Sequence, residues 1–183
     1  MTPKRYHAAV VTLHWVMAAA FLLMLASGLG MVHYPMAKSL QFNMYQWHKS
    51  LGVLLLIAAG LRLALRLLTA IPPLPDDMPR VEKKAAKVGH LALYLWMLAL
   101  PLSGWLMVSS SPYGLPTIVF GWFEWPHIGW VIQNEAVNKF SREGHQVLAY
   151  LFMALIAGHI AAVIKHAWVE RHNLLPRIWF GKR

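Results

Sequence analysis

The chain has 183 residues, 58% of them apolar, a mean hydropathy of +0.46 and no cysteine. Without thiols there are no disulfides, iron–sulfur clusters, thiolate zinc sites or covalent c-type haem attachment, and the apolar excess points to lipid as the solvent. A net charge of +10 is then a matter of membrane topology, and no nucleic-acid partner is expected.

Four apolar runs, Val10 to Val32, Trp47 to Leu68, Val88 to Val108 and Gln146 to Trp168, each approach the roughly 20 helical residues needed to cross a hydrocarbon core. They predict an all-α fold, an integral membrane four-helix bundle, with residues 1–183 forming a single transmembrane domain. The first run follows a polar amino terminus, lacks an Ala-x-Ala cleavage pattern and carries a histidine, so it reads as a retained helix. Between the second and third runs, Thr69 to Lys87 holds Pro72, Pro73, Pro75 and Pro79, which predict a stiff extended spacer. Pro101 falls inside the third run and predicts a kink. The long connection from Ser109 to Ser141 holds Tyr113, Phe120, Trp122, Phe123, Trp125 and Trp130. Such aromatics suit a headgroup belt, or a lid over a cofactor.

Of the 17 basic residues, only Lys38, Lys49, Lys139 and Arg142 fall on the side of that long loop; the rest share a side with both termini. Basic residues stay on the cytoplasmic side, so both termini are expected to be cytoplasmic and the long loop outside.

Ionisable side chains are costly in lipid, which makes His14, His48, His90, His145 and His159 functional candidates. The plain alternative for any one of them is a neutral imidazole bonding across helices. His145 and His159 lie 14 positions apart, within roughly 40° of azimuth and about 21 Å along one helix. His48 matches the depth of His145, and His14 that of His159. Facing imidazoles on different helices are the axial ligands of a low-spin haem, closed to oxygen and suited to electron transfer. These four residues therefore predict two non-covalent haems b, one near each membrane surface.

Gly28 and Gly30 at the outer depth, Gly60 at the inner depth, and Gly52, Gly144 and Gly158 beside ligands offer close approach for a porphyrin, or ordinary small-residue packing. Arg62, Arg66 and Lys165 inside, with Lys49 and Arg142 outside, stand at propionate level or snorkel to lipid phosphates. His90, with Tyr94 one turn on, is expected to hydrogen-bond or face a quinone, with axial ligation in place of His14 or His159 as the alternative. His166 is read as a surface residue with an inner pocket as the alternative; His7, His33, His127 and His172 are read as solvated. A metal transporter would need intramembrane carboxylates, and none of the seven acidic residues lies mid-span.

The stretch Tyr6 to Trp15, ending in His14-Trp15, resembles the opening of the bacterial cytochrome b561 family. Trp47-His48-Lys49-Ser50-Leu51-Gly52, the Arg62 and Arg66 pair, and Gly89-His90-Leu91-Ala92-Leu93-Tyr94 with Pro101 and Gly104 are similar to its later segments. So are Gly144-His145, Gly158-His159, Lys165-His166 and Asn173-Leu174-Leu175, and the loop motif Val119-Phe120-Gly121-Trp122-Phe123. The resemblance implies a bacterial inner-membrane cytochrome whose two haems b are ligated at His14, His48, His145 and His159, and which exchanges electrons with ubiquinone or ubiquinol. One branch of the family is associated with superoxide oxidation at the periplasmic face, which makes a superoxide:ubiquinone oxidoreductase the alternative, together with a membrane anchor for a soluble or periplasmic redox partner.

Overall fold

The computed structural model describes residues 5–169 and 173–180. Four helices, α1 (Ala8–His33), α2 (Lys38–Leu68), α3 (Arg80–Ser109) and α4 (Glu135–Ile164), are long and apolar enough to cross a membrane. α4 runs on into a π-helical turn, Lys165–Val169. α1 packs on α2, α2 on α3 and α3 on α4, so α2 and α4 face each other across the bundle. One end of the bundle carries the α3–α4 loop; the other carries both chain termini and the α2–α3 connection.

The helices outrun the apolar stretches that announce them, because a helix satisfies its own backbone and continues into the polar headgroup zone where hydropathy falls. α2 starts at Lys38 where Trp47 was expected. α3 starts at Arg80, directly after the extended Pro79, and shortens the spacer expected to reach Lys87. α4 starts behind Asn134, whose side chain accepts the Val137 N–H at 3.1 Å. The connection is therefore shorter than the predicted span to Ser141, and it contains an antiparallel hairpin, β1 (Thr117–Val119) and β2 (Phe123–Trp125). α3 continues helical through Pro101.

The three-residue hairpin loop places Phe120 at φ 48° and Gly121 at φ 81°, the left-handed central pair of a β-turn closed by the Trp122 N–H to the Val119 carbonyl at 3.0 Å. Phenylalanine pays a steric penalty there that its contacts offset. Its N–H donates to Ser50 Oγ at 3.1 Å, and its ring meets Trp47 edge-on at 5.1 Å. Lys49 Nζ donates to the Pro116 carbonyl at 3.0 Å. The hairpin is thereby clipped to the turn of α2 that contains His48. At the opposite end, Trp15 Nε1 donates to the Ile178 carbonyl at 2.8 Å, Tyr6 N–H to the Arg177 carbonyl at 3.1 Å, and Arg177 to the Pro73 carbonyl. These bonds draw the C-terminal segment and the spacer beneath α1.

The core is a band across mid-bundle formed by Met17, Phe21, Leu25, Leu55, Ala59, Leu100 and Phe152. At its centre Phe21 and Phe152 meet edge to face, 5.1 Å between centroids. Phe152 stands seven residues from both His145 and His159; Phe21 stands seven from His14 and Gly28, Leu55 seven from His48 and Arg62, and Met97 seven from His90 and Gly104. Seven residues are nearly two full turns, about 10.5 Å of rise on one face. The bundle is thus layered: Gly28, His48, Gly104 and His145 at the loop end, Phe21, Leu55, Met97 and Phe152 in the middle, and His14, Arg62, His90 and His159 at the termini end.

Lipid is as apolar as the core, so the middle layer holds by packing and not by escape from water. In a double-mutant cycle of F21A and F152A, followed by denaturant titration in detergent, the aromatic pair should show about 1 kcal/mol of coupling.

Candidate haem-binding layers

At the loop end the His48 and His145 rings face each other with centroids 6.4 Å apart and planes at 80°. A metal held by two imidazole nitrogens at about 2 Å each keeps the ring centres roughly 6 Å apart. The remaining nitrogens are occupied. His145 Nδ1 lies 3.1 Å from the Leu100 carbonyl oxygen and 2.9 Å from Ser103 Oγ. A carbonyl only accepts, so this nitrogen carries the proton and the Nε2 lone pair is left for a metal. His48 Nδ1 lies 3.2 Å from Ser27 Oγ, whose own proton goes to the Met24 carbonyl at 3.0 Å. That again makes Nδ1 the donor.

Glycine stands beside both rings. A Cβ at Gly104 would lie 3.2 Å from His145 Cε1, and one at Gly28 3.6 Å from His48 Cε1. Two rings on one diagonal of the bundle, α2 and α4, are therefore matched by two glycines on the other, α1 and α3. Donor set, ring spacing and bare backbone fit a haem with two axial imidazoles.

At the termini end His90 and His159 make the close ring contact, 5.8 Å between centroids and 62° between planes. His14 instead receives a hydrogen bond on Nδ1 from Arg62 Nη2 at 3.0 Å, while Arg62 Nη1 donates to the Val10 carbonyl at 3.2 Å. The Arg62 guanidinium also lies 5.9 Å from the Tyr94 ring. His14 interacts electrostatically with both His90 and His159, so three imidazoles and one cation share this layer. His90 is exposed, whereas His14, His48, His145 and His159 are half-buried.

The other sequence candidates are placed as follows. A Cβ at Gly60, Gly144 or Gly158 meets nothing within 4 Å, and one at Gly52 meets Met24 at 3.6 Å. Arg66 lies 5.9 Å from the Tyr6 ring. Arg142 lines a surface hollow with Pro112, Glu135 and Lys139. Lys165 pairs with Glu82 at 2.8 Å, and His166 approaches the same carboxylate at 3.8 Å. Of the histidines expected to be solvated, His7 and His33 are exposed, with His33 Nε2 3.1 Å from the Tyr150 hydroxyl, whereas His127 is half-buried with its Nε2 atom out of reach of solvent. His172 lies outside the described residues.

Ser27, Ser103 and the Leu100 carbonyl were not singled out from sequence, because hydroxyls and small residues in a membrane helix look like ordinary packing. One signal was present: Gly104 stands 14 residues from His90 and Gly28 14 from His14, the same interval that joins His145 to His159. In G104A the new methyl should displace the His145 ring by a few tenths of an ångström and destabilise the loop-end layer by about 1–3 kcal/mol. A thermal melt followed by haem absorbance should show it.

A family model described as prokaryotic cytochrome b561 matches residues 5–181. Cytochrome b561 homolog 2 of Escherichia coli (strain K12) is 33% identical over 97% of this chain and 92% of its own length. Cytochrome b561 homolog 1 of the same organism is 23% identical over 96% and 97%. A probable superoxide oxidase CybB of Yersinia pestis is 27% identical over 98% of each chain. With four membrane-crossing helices and a match over nearly its whole length, the chain belongs to the prokaryotic cytochrome b561 family, haem b-binding electron-transfer proteins that cross the bacterial inner membrane several times.

Proposed function

We propose that the chain passes electrons between the two membrane surfaces through two haems b, one in each histidine-bearing layer, with both termini cytoplasmic and the hairpin periplasmic. The 6.4 Å facing of His48 and His145, with both Nδ1 atoms hydrogen-bonded to the protein, is the observation that carries the reading. Bound there, haem supplies a one-electron couple with no open coordination position. The chain's residues set ring orientation, exclude water and separate the layers with Phe21 and Phe152. Gly28 and Gly104 admit the macrocycle.

In the termini-end layer His159 is one ligand and His14, at its depth on α1, the other. A haem held through Nε2 would require the His14 proton on Nδ1, and Arg62, which now donates to that nitrogen, would then be free for a propionate, with Gly60 leaving open space on the same helix. Arg66 on this side and Arg142 on the other are the further candidates for propionate contact. The 5.8 Å contact between His90 and His159 supports a second assignment, with His90 in the place of His14. Exposure of His90 favours the first, because an imidazole reachable from outside the bundle suits hydrogen bonding to the carbonyl of ubiquinone or ubiquinol. Quinone exchange follows the family resemblance.

Likeness to the Yersinia pestis protein supports a second reading of the periplasmic end, oxidation of superoxide with quinone as acceptor, drawn by Lys38, Lys49, Lys139 and Arg142. A periplasmic redox partner is the other donor consistent with this end. Superoxide consumption by the purified protein in the presence of ubiquinone, lost in K49E, would favour superoxide over a protein donor.

A pyridine haemochrome assay should return two haems b per chain. H48A and H145A should each lose one and keep the other. H14A, compared with H90A, should lose the second haem while H90A keeps it; the reverse result would move the ligand to α3, and a single haem in the wild type would remove the two-centre reading.

A further inference from the structure

Resting on the reading of His14 as a haem ligand, we infer that Trp15 is the positioning residue for the His14 ring, and that the C-terminal segment 173–180 belongs to the termini-end site because it holds Trp15 in that place.

Consecutive residues of a helix point about 100° apart, so their side chains do not ordinarily face each other. Yet the rings of His14 and Trp15, neighbours in the first turns of α1, meet edge-on with centroids 5.1 Å apart and planes at 80°. The indole is held from the far end of the chain. Its Nε1 donates to the Ile178 carbonyl at 2.8 Å, 163 positions away, and its ring meets that of Trp179 edge-on at 5.2 Å. A tryptophan of the headgroup belt gives its N–H to water or lipid. This one gives it to the protein.

Further contacts fix the segment that supplies the acceptor. Leu175–Arg177 forms a 3-10 turn, and the Leu175 carbonyl accepts the Ile178 N–H at 3.0 Å. The Arg177 carbonyl accepts the Tyr6 N–H at 3.1 Å, and the Arg177 guanidinium donates to the Pro73 carbonyl. The Tyr6 ring in turn has the Arg66 guanidinium of α2 5.9 Å from its centre. Trp15 is thereby braced by the lead into α1, the α2–α3 spacer and α2 together.

An axial imidazole keeps its plane only if something besides the metal restrains the ring. In the structure Arg62 bonds His14 Nδ1 at 3.0 Å, a contact that ligation through Nε2 removes, because Nδ1 then carries the proton. The edge of Trp15 depends on neither nitrogen. It is the restraint that persists on the ligated ring, and the plane it sets is what low-temperature EPR of a low-spin haem reads.

The test is low-temperature EPR of the full-length haem-loaded protein, with H14A identifying the termini-end signal and a pyridine haemochrome assay counting haems. W15L, which removes the indole, should shift and broaden the largest g value of that signal and leave the other signal in place. W15F, which keeps an aromatic edge without the N–H, should give a smaller shift and a several-fold rise in amide hydrogen exchange at 174–178. W179L alters the C-terminal segment alone and should broaden the same signal, so the inference stays testable if W15L does not fold. An unchanged termini-end signal in W15L, or an equal change in both signals, would make Trp15 mere packing; an unchanged signal in W179L would remove the segment from the site. If H14A loses one haem and these variants change nothing, this inference alone fails. If H14A keeps both haems, the ligand reading falls and takes this one with it.

Discussion

An imidazole in hydrocarbon has two ring nitrogens and no water to satisfy either, and the bundle is organised around that requirement. At the loop end each ring gives one nitrogen, Nδ1, to the protein through a serine or a backbone carbonyl, and the two rings stand 6.4 Å apart. Where a ring must stand close to a neighbouring helix, the neighbour is glycine. Layers of aliphatic and aromatic side chains then fill the distance between the two polar levels. Spacing by sevens lets four helices meet these conditions together, since nearly two turns return a residue to the same face.

The helices were legible because lipid demands long apolar runs, and nothing else in a chain of this size produces four of them. Their ends were not, because Lys38 to Gln46 and Glu135 to His145 form helix without being apolar. The hairpin was hidden for a related reason. Its strands are three residues each, too short for alternation to register, and only Phe120-Gly121 hinted at a turn. His48 facing His145 followed from depth alone, since the two helices that present them are opposite each other. Depth does not specify azimuth between helices, which is why the closeness of His90 to His159 and the hold of Arg62 on His14 emerged only with coordinates. Ser27 and Ser103 escaped notice because a hydroxyl that bonds the preceding turn of its own helix has the sequence signature of any other membrane serine.

The two ends also differ in how they meet their surroundings. A hairpin held by Ser50 and Lys49 covers the His48 end and leaves Trp122 highly exposed, as the helical turn Gly129–Val131 that follows it leaves Trp130. Beneath the other end lies the segment anchored by Trp15 and Arg177. The two ends of the bundle thus carry unlike coverings, a hairpin over one and the C-terminal segment with the spacer beneath the other.

α4 alone bears a histidine from each layer, on one uninterrupted run of helix from 145 to 159. It serves as a ruler: inserting a single residue between them would turn one ring by about 100° and shift it by about 1.5 Å, severing it from its opposite number. Length changes that keep both rings in place are therefore confined to the connections, and the spacing of the two rings along α4 is insulated from whatever happens in the loops.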